Sequence, residues 1–233
     1  MESLEKLKGW LINHQQKISR VVDFNPSADH LFPFDFTAAN LELTDEVLRD
    51  TSAFTSWTTQ KLKDAGARYG IGGYNEHRTI YSRSIHFDTL EEPRRLHLGV
   101  DIWGPAGTPV YNFFEAEVHS FSNNNHFGDY GGTIILKYQL DGLVLYGLYG
   151  HLSLASIADL KVGQPIATGE RFATFGIPEE NGNWPPHLHF QLMFDMQGKN
   201  GDYPGVCQFS NRAVYLANCP DPGLILNYTF PIK

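Results

Sequence analysis

Basic residues, cysteines and long apolar runs are all scarce in this sequence, and each scarcity excludes something. Lys and Arg number 18 against 26 Asp and Glu, a formal net charge of −8, so a phosphate backbone is an unfavourable partner and no nucleic acid is expected. The only cysteines, Cys207 and Cys219, lack the C-x-x-C spacing of a zinc knuckle or redox pair, and two free thiols are expected. No stretch approaches the ~20 consecutive apolar residues of a spanning helix, so no membrane is expected either. Met1 to Trp10 mixes charged with apolar residues and has no apolar centre of the secretory kind, which makes a cytoplasmic location the expectation. Also missing are H-E-x-x-H and G-x-S-x-G, which sets aside the thermolysin-like and serine-hydrolase routes. Gly128-Asp129-Tyr130-Gly131-Gly132 precedes no helical pattern and does not read as a phosphate loop.

What is present suits one catalytic domain with an extension, because 233 residues of 42% hydrophobic and 13% aromatic content can bury a substantial core. Leu4, Leu7, Trp10, Leu11 and Ile18 recur at helical spacing and predict an amphipathic helix. Thr44-Asp45-Glu46 offers a helix cap with acidic residues in the first turn, predicting one or two short helices before Gly66. After Arg68 the texture changes to short runs of Tyr, Ile, Val, Phe and Leu broken by Gly, Pro and Asn, the pattern of antiparallel strands. Strands are expected at 108–111, 116–121, 133–140, 143–149 and 172–175. Asp141-Gly142 between two of them signals a type I′ hairpin. The division expected is a helical extension over 1–66 and a catalytic domain over 67–233 ending in a wrapping segment. The fold class is an all-β core of antiparallel sheets with short amino-terminal helices, α+β overall.

Two further strand-like segments carry the chemistry, Leu96-His97-Leu98-Gly99-Val100-Asp101-Ile102 and Pro186-His187-Leu188-His189-Phe190-Gln191-Leu192. Side chains alternate along a strand, so His97, Gly99 and Asp101 share one face while Leu96, Leu98, Val100 and Ile102 face a core. His187 and His189 share a face in the same way. Imidazoles and a carboxylate placed by rigid strands are donors that Zn²⁺ accepts, and the chain reads as a zinc hydrolase. Spacing alone leaves open which of His97, His151, His187 and His189 bind metal. Gly99, between two candidate ligands, is expected to leave room where ion and substrate sit. A lone histidine is more often a hydrogen-bonded core residue, and His14, His30, His119 and His126 have no partner pattern to lift them above that reading.

Three blocks in order, His97-Leu-Gly-Val-Asp101, Tyr149-Gly-His151-Leu-Ser153 and His187-Leu-His189-Phe190, resemble the lysostaphin and LytM type zinc metallopeptidases, with Gly107-Thr108-Pro109-Val110 and Val162-Gly163-Gln164 between them. The resemblance spans about residues 95 to 193. It implies one zinc ion per chain held by His97, Asp101 and His189, with His151 and His187 as the catalytic pair. It also implies cleavage of peptide bonds, in that family those of bacterial cell-wall peptides. The substrate expected is a peptide or small amide. Two other readings are a regulatory or binding module on the same fold, and a zinc hydrolase of a non-peptide amide.

Upstream of the first block, Arg78 and Arg83 are expected as substrate contacts able to grip a carboxylate, against the alternative of surface ion pairs. Asn75 and His77 are expected near the groove, where either has the chemistry to occupy an open zinc position. Trp184 is the expected groove wall, with the filling of a hydrophobic gap as the plainer alternative.

Overall fold

Helix α1 (Glu2–His14) begins the chain of this computed structural model, which describes residues 2–88 and 91–228. Its apolar stripe buries Leu7 and Trp10. The helical pattern runs on past His14 only as a 3₁₀ turn, Gln15–Lys17. Strand β1 (Leu31–Pro33) comes next, then α2 (Asp45–Arg49) and α3 (Thr51–Asp64). Thr44 caps α2 by accepting from the Val47 amide, as its sequence position predicts, and Asp50 caps α3 through the Ser52 and Ala53 amides.

Strands follow: β2 (Tyr69–Gly72), β3 (Leu96–His97), β4 (Val100–Trp103), β5 (Pro109–Tyr111), β6 (Ala116–Asn124), β7 (Gly131–Leu140), β8 (Leu143–Leu152), β9 (Pro165–Ile166), β10 (Arg171–Thr174), β11 (His187–Met193) and β12 (Val206–Cys207). Two short helices, α4 (Arg212–Asn218) and α5 (Gly223–Leu226), close the described chain. α4 has no counterpart among the expected elements. Among the described residues eight strands form one sheet in the order β1-β2-β4-β11-β8-β7-β6-β9. Every pairing in it is antiparallel except β1 with β2, so the architecture is a mostly antiparallel β core with helices outside it. Asp141 and Gly142 both take positive φ, 48° and 88°, between β7 and β8, the backbone a type I′ turn requires.

The expected boundary after residue 66 is not a break in the core. β1 lies in the same sheet as β2, with Leu31 opposite Tyr69. Leu7, Trp10, Val21 and Val22 share one hydrophobic cluster with Val100, Ile102, Leu188 and Phe190 from the centre of that sheet. A second aromatic cluster, holding Phe34, Phe36, Phe54, Trp103 and Trp184, joins the amino-terminal segment to the other strand faces. Cys207 and Cys219 are both free and buried.

Candidate metal centre

Asp101 and His189 are direct register partners across β4 and β11, while His187 opposes Trp103 two residues along. The first block is not one continuous strand as its alternation suggests. It divides at Leu98-Gly99 because His97 on β3 pairs with Val206 of β12 while Val100 onward pairs with β11. The bend still brings His97 onto Asp101. Nε2 of His97 lies 3.3 Å from Asp101 Oδ1 and 3.0 Å from His189 Nδ1. The last side of the triangle, His189 Nδ1 to Asp101 Oδ1, is 3.0 Å.

The partners on the far side of each ring fix what faces inward. His97 Nδ1 is 2.9 Å from the Gly73 carbonyl, which only accepts, so Nδ1 carries the proton and Nε2 presents a lone pair. His189 Nε2 is 2.9 Å from Gln191 Oε1, and Gln191 donates its own amide to Pro204 O at 3.1 Å. That orientation makes His189 Nδ1 the free acceptor. Two imidazole lone pairs and a carboxylate oxygen therefore converge with no proton between them, an arrangement that repels itself unless a cation sits among them. The donor set, two nitrogens and one oxygen on rigid strands and all buried, fits a zinc ion with a further position open.

Burial raises the Asp101 carboxyl, but His97 and Arg78 outweigh it and hold the group well below the usual carboxylate range. Burial, reinforced by Arg78, pushes the His97 imidazole down to about 4. Both are in the form a metal requires at neutral pH.

Gly99 has a different role from the one expected. A side chain there would strike the His189 ring, with a Cβ 2.7 Å from Cε1 and Nε2 and 2.8 Å from the Phe190 carbonyl. The glycine clears space for a ligand, not for ion or substrate.

His151 and His187 lie side by side, ring centroids 4.0 Å apart. His187 stacks on Trp103 at 3.9 Å and donates Nδ1–H to Pro185 O at 2.7 Å. His151 donates Nδ1–H to Asn181 O at 2.8 Å. Both therefore present Nε2 as an acceptor. Burial lowers His187 to about 4 and drives His151 well below its ordinary value, with the neighbouring His187 adding to the effect. His151 has φ 62°, a left-handed conformation uncommon outside glycine and typical of functional positions.

A cavity of about 130 Å³ opens beside these residues, lined among others by Tyr81, Phe87, Tyr130, Trp184, His151, His187 and His189. Trp184 is a wall of it. Arg78, expected as a substrate contact, is instead fully buried behind the ligands and ion-paired to Asp101 and Glu76. Arg83 does not line the cavity. It bonds Thr51 Oγ1 at 2.9 Å and covers the Trp184 ring at 4.7 Å, and burial pulls its guanidinium down to about 10. Asn75 points to the surface, where it accepts from Arg212 Nε at 2.8 Å, and the exposed His77 rests near Phe209. Neither reaches the metal site, so the notion of an upstream residue occupying it is not carried by Asn75 or His77. Sequence reasoning missed Asn181, Gln191, Gly73 and Glu76. Of these only Gln191 had a signal, since it follows His187 and His189 at strand period.

Residues 95–202 match the family model described as Peptidase family M23. Among solved structures the chain is similar to a zinc-containing peptidase from Vibrio cholerae, at 26% identity over 42% of this chain and 27% of that one, TM-score 0.33. It is similar to the catalytic domain of the antimicrobial peptidase lysostaphin from Staphylococcus simulans, at 25% identity over 75% of this chain and 98% of that one, TM-score 0.42. With whole lysostaphin the figures are 28%, 60% and 47%, TM-score 0.38. The chain thus spans about a quarter of the Vibrio protein and about half of whole lysostaphin. No curated protein matches it in sequence.

Proposed function

We propose that this chain, whose residues 95–202 match the model of peptidase family M23, is a zinc metallopeptidase of that family that cleaves peptide bonds in short peptides such as those derived from bacterial cell wall. The observation that carries this reading is the convergence of His97 Nε2, Asp101 Oδ1 and His189 Nδ1 beside two neutral imidazoles with free Nε2 atoms. His97, Asp101 and His189 would hold a zinc ion, which would supply Lewis acidity for attack of water on the scissile carbonyl.

The chain's own groups do the rest. His151 and His187 both enter the reaction as proton acceptors. Two imidazoles with centroids 4.0 Å apart do not both charge, because the second cation is repelled by the first. The pair therefore carries one proton at a time, taken from the attacking water and returned to the leaving amine. Asn181 and Pro185, by holding the Nδ1 protons, keep each Nε2 aimed into the cavity and prevent the wrong tautomer.

The cavity beside the pair is walled by the aromatic rings of Tyr81, Phe87, Tyr130 and Trp184, a lining that suits a short peptide segment held next to the metal site. The test is incubation of the zinc-loaded protein with a library of short peptides, read by mass spectrometry. Cleavage by the parent that is absent from the His151→Ala and His187→Ala variants supports the reading. Turnover only of small non-peptide amides would move the substrate class, and no turnover of either by fully loaded protein would overturn the proposal.

A further inference from the structure

The metal-binding triangle is held from behind by a segment outside the matched family region. Residues 73–78 run alongside β3: the Asn75 amide donates to His97 O at 2.9 Å, the His97 amide to Glu76 O at 3.0 Å and the Arg78 amide to Arg95 O at 2.9 Å. From this segment Arg78 turns inward. It is 0% exposed and donates Nη1–H to Asp101 Oδ2 at 2.5 Å, Nε–H to Glu76 Oε2 at 2.9 Å and Nη2–H to Gly73 O at 3.3 Å. The same Gly73 carbonyl accepts from His97 Nδ1. One guanidinium thus touches one ligand, Asp101, directly and the carbonyl that orients a second, His97. Space for it is built in. Gly72 is the register partner of Asp101, and a Cβ on it would lie 2.7 Å from Arg78 Nη2. The Phe36 ring covers the guanidinium at 5.1 Å.

We propose that Arg78, together with Glu76, is the positioning pair of this metal centre, holding Asp101 by Oδ2 so that only Oδ1 faces the ion. This rests on the metallopeptidase reading above. Burying a full guanidinium is costly, and an Arg serving only to fill space there would be better replaced by an apolar group of its size. Its geometry gives a reason to keep it. With Oδ2 occupied, Asp101 meets the ion through one oxygen and leaves room for water and substrate.

The charges fit too. Glu76 cancels Arg78, so the fixed cation does not repel a divalent ion, and the full negative charge of Asp101 remains for the metal. Arg78 stays protonated: burial works against its charge, but Tyr81, Asp101 and Glu76 outweigh that. Both members of the pair come from residues 73–78, so this segment upstream of β3 is part of the centre and not an appendage.

The experiment compares full-length parent, Arg78→Met, Arg78→Lys and Glu76→Gln. Folding is verified by circular dichroism. Zinc affinity comes from competition with a chromophoric chelator, and the visible spectrum of the cobalt-substituted protein reports coordination number. Arg78→Met is expected to bind zinc about 10–100-fold more weakly, the usual effect of losing a group that orients a ligand. Its cobalt bands are expected to weaken as the freed Oδ2 adds to the coordination. Glu76→Gln leaves Arg78 paired with Asp101 alone, drawing that carboxylate's charge away from the ion, and should also weaken zinc, without the spectral change. Arg78→Lys keeps the charge but not the fork and should fall between parent and Arg78→Met.

A folded Arg78→Met with parental affinity and an unaltered cobalt spectrum would overturn the proposal. If Arg78→Met does not fold, parental affinity in both Arg78→Lys and Glu76→Gln overturns it equally. A parent that binds no zinc would instead bring down the metallopeptidase reading itself.

Discussion

Asp101 and His189 stand directly opposite each other on neighbouring antiparallel strands, with Oδ1 and Nδ1 3.0 Å apart. A cross-strand pair is the most rigid way a sheet can bring two ligands together, since the ladder on either side fixes both backbones. His97 reaches the same point from a separate two-stranded ladder, β3 with β12. Metal binding therefore ties together parts of the chain that hydrogen bonding alone leaves in different sheets.

Loss of metal and loss of turnover should separate cleanly. His97→Ala, Asp101→Ala and His189→Ala each remove a corner of the triangle and are expected to abolish stoichiometric zinc, measured by plasma mass spectrometry after dialysis. His151→Ala and His187→Ala leave the triangle intact. They should retain zinc while turnover falls about 10²–10⁴-fold, the range for losing a general acid or base. Zinc loss in the second pair would refute the division of roles.

Gly99→Ala tests the packing under a ligand. The added methyl meets the His189 ring and the Phe190 carbonyl at distances no relaxed contact tolerates. The backbone side of that clash is fixed by the β4–β11 ladder, so the ring must yield. Expected are a destabilisation of about 1–3 kcal/mol by chemical denaturation and weakened zinc binding. Unchanged stability together with unchanged zinc affinity would show that the space around Gly99 is not tight.

Much of this was readable in the sequence where the information is local. Period-two alternation around His187 and His189, the Asp141-Gly142 turn and the Thr44 cap all appear as expected, because each depends on a few neighbouring residues. The division of the first block at Gly99 was not legible, since it depends on β12 more than a hundred positions later. Arg78 was misread for the same reason. An arginine among polar residues looks like surface, and nothing nearby in sequence announces that its partner is Asp101, 23 positions on. The amino-terminal segment was read as an extension because its strand, Leu31–Pro33, is three residues long and acquires meaning only beside Tyr69–Ile71.

Acid should destabilise the protein once its metal is chelated. Burial holds His97 and His187 at about 4 in the folded state, against an ordinary 6.5 when unfolded, and His151 lower still. Between those values the unfolded chain binds protons that the folded one refuses, so stability rises with pH across the window. The contribution is complete above about 6.5 and is lost as pH falls toward 4. Urea midpoints at pH 7, 5.5 and 4.5 with chelator present should decline in that order. In His187→Phe the decline should be shallower.

Neither thiol should behave as a reactive cysteine. Burial raises Cys207 to about 11 and Cys219 to about 12, so neither is a thiolate at neutral pH. Labelling with a thiol-specific reagent at pH 8 should be negligible in the native protein and reach two per chain after denaturation. Fast native labelling would mean that the segment around β12 opens readily, and with it the support of His97.

The backbone at His151 offers the most discriminating test of how the fold serves the chemistry. Its φ of 62° is disfavoured for any residue with a Cβ by about 1–2 kcal/mol, yet the strand ends in that conformation and its amide donates to Tyr130 O at 2.8 Å. If the strain exists only to aim the imidazole at the cavity, glycine relieves it. His151→Gly should then lose turnover as fully as His151→Ala, retain zinc, and be at least as stable as His151→Ala despite glycine's greater entropy when unfolded. A His151→Gly protein clearly less stable than His151→Ala would mean that the left-handed turn is not strained, and that His151 is positioned by its contact with Asn181 alone.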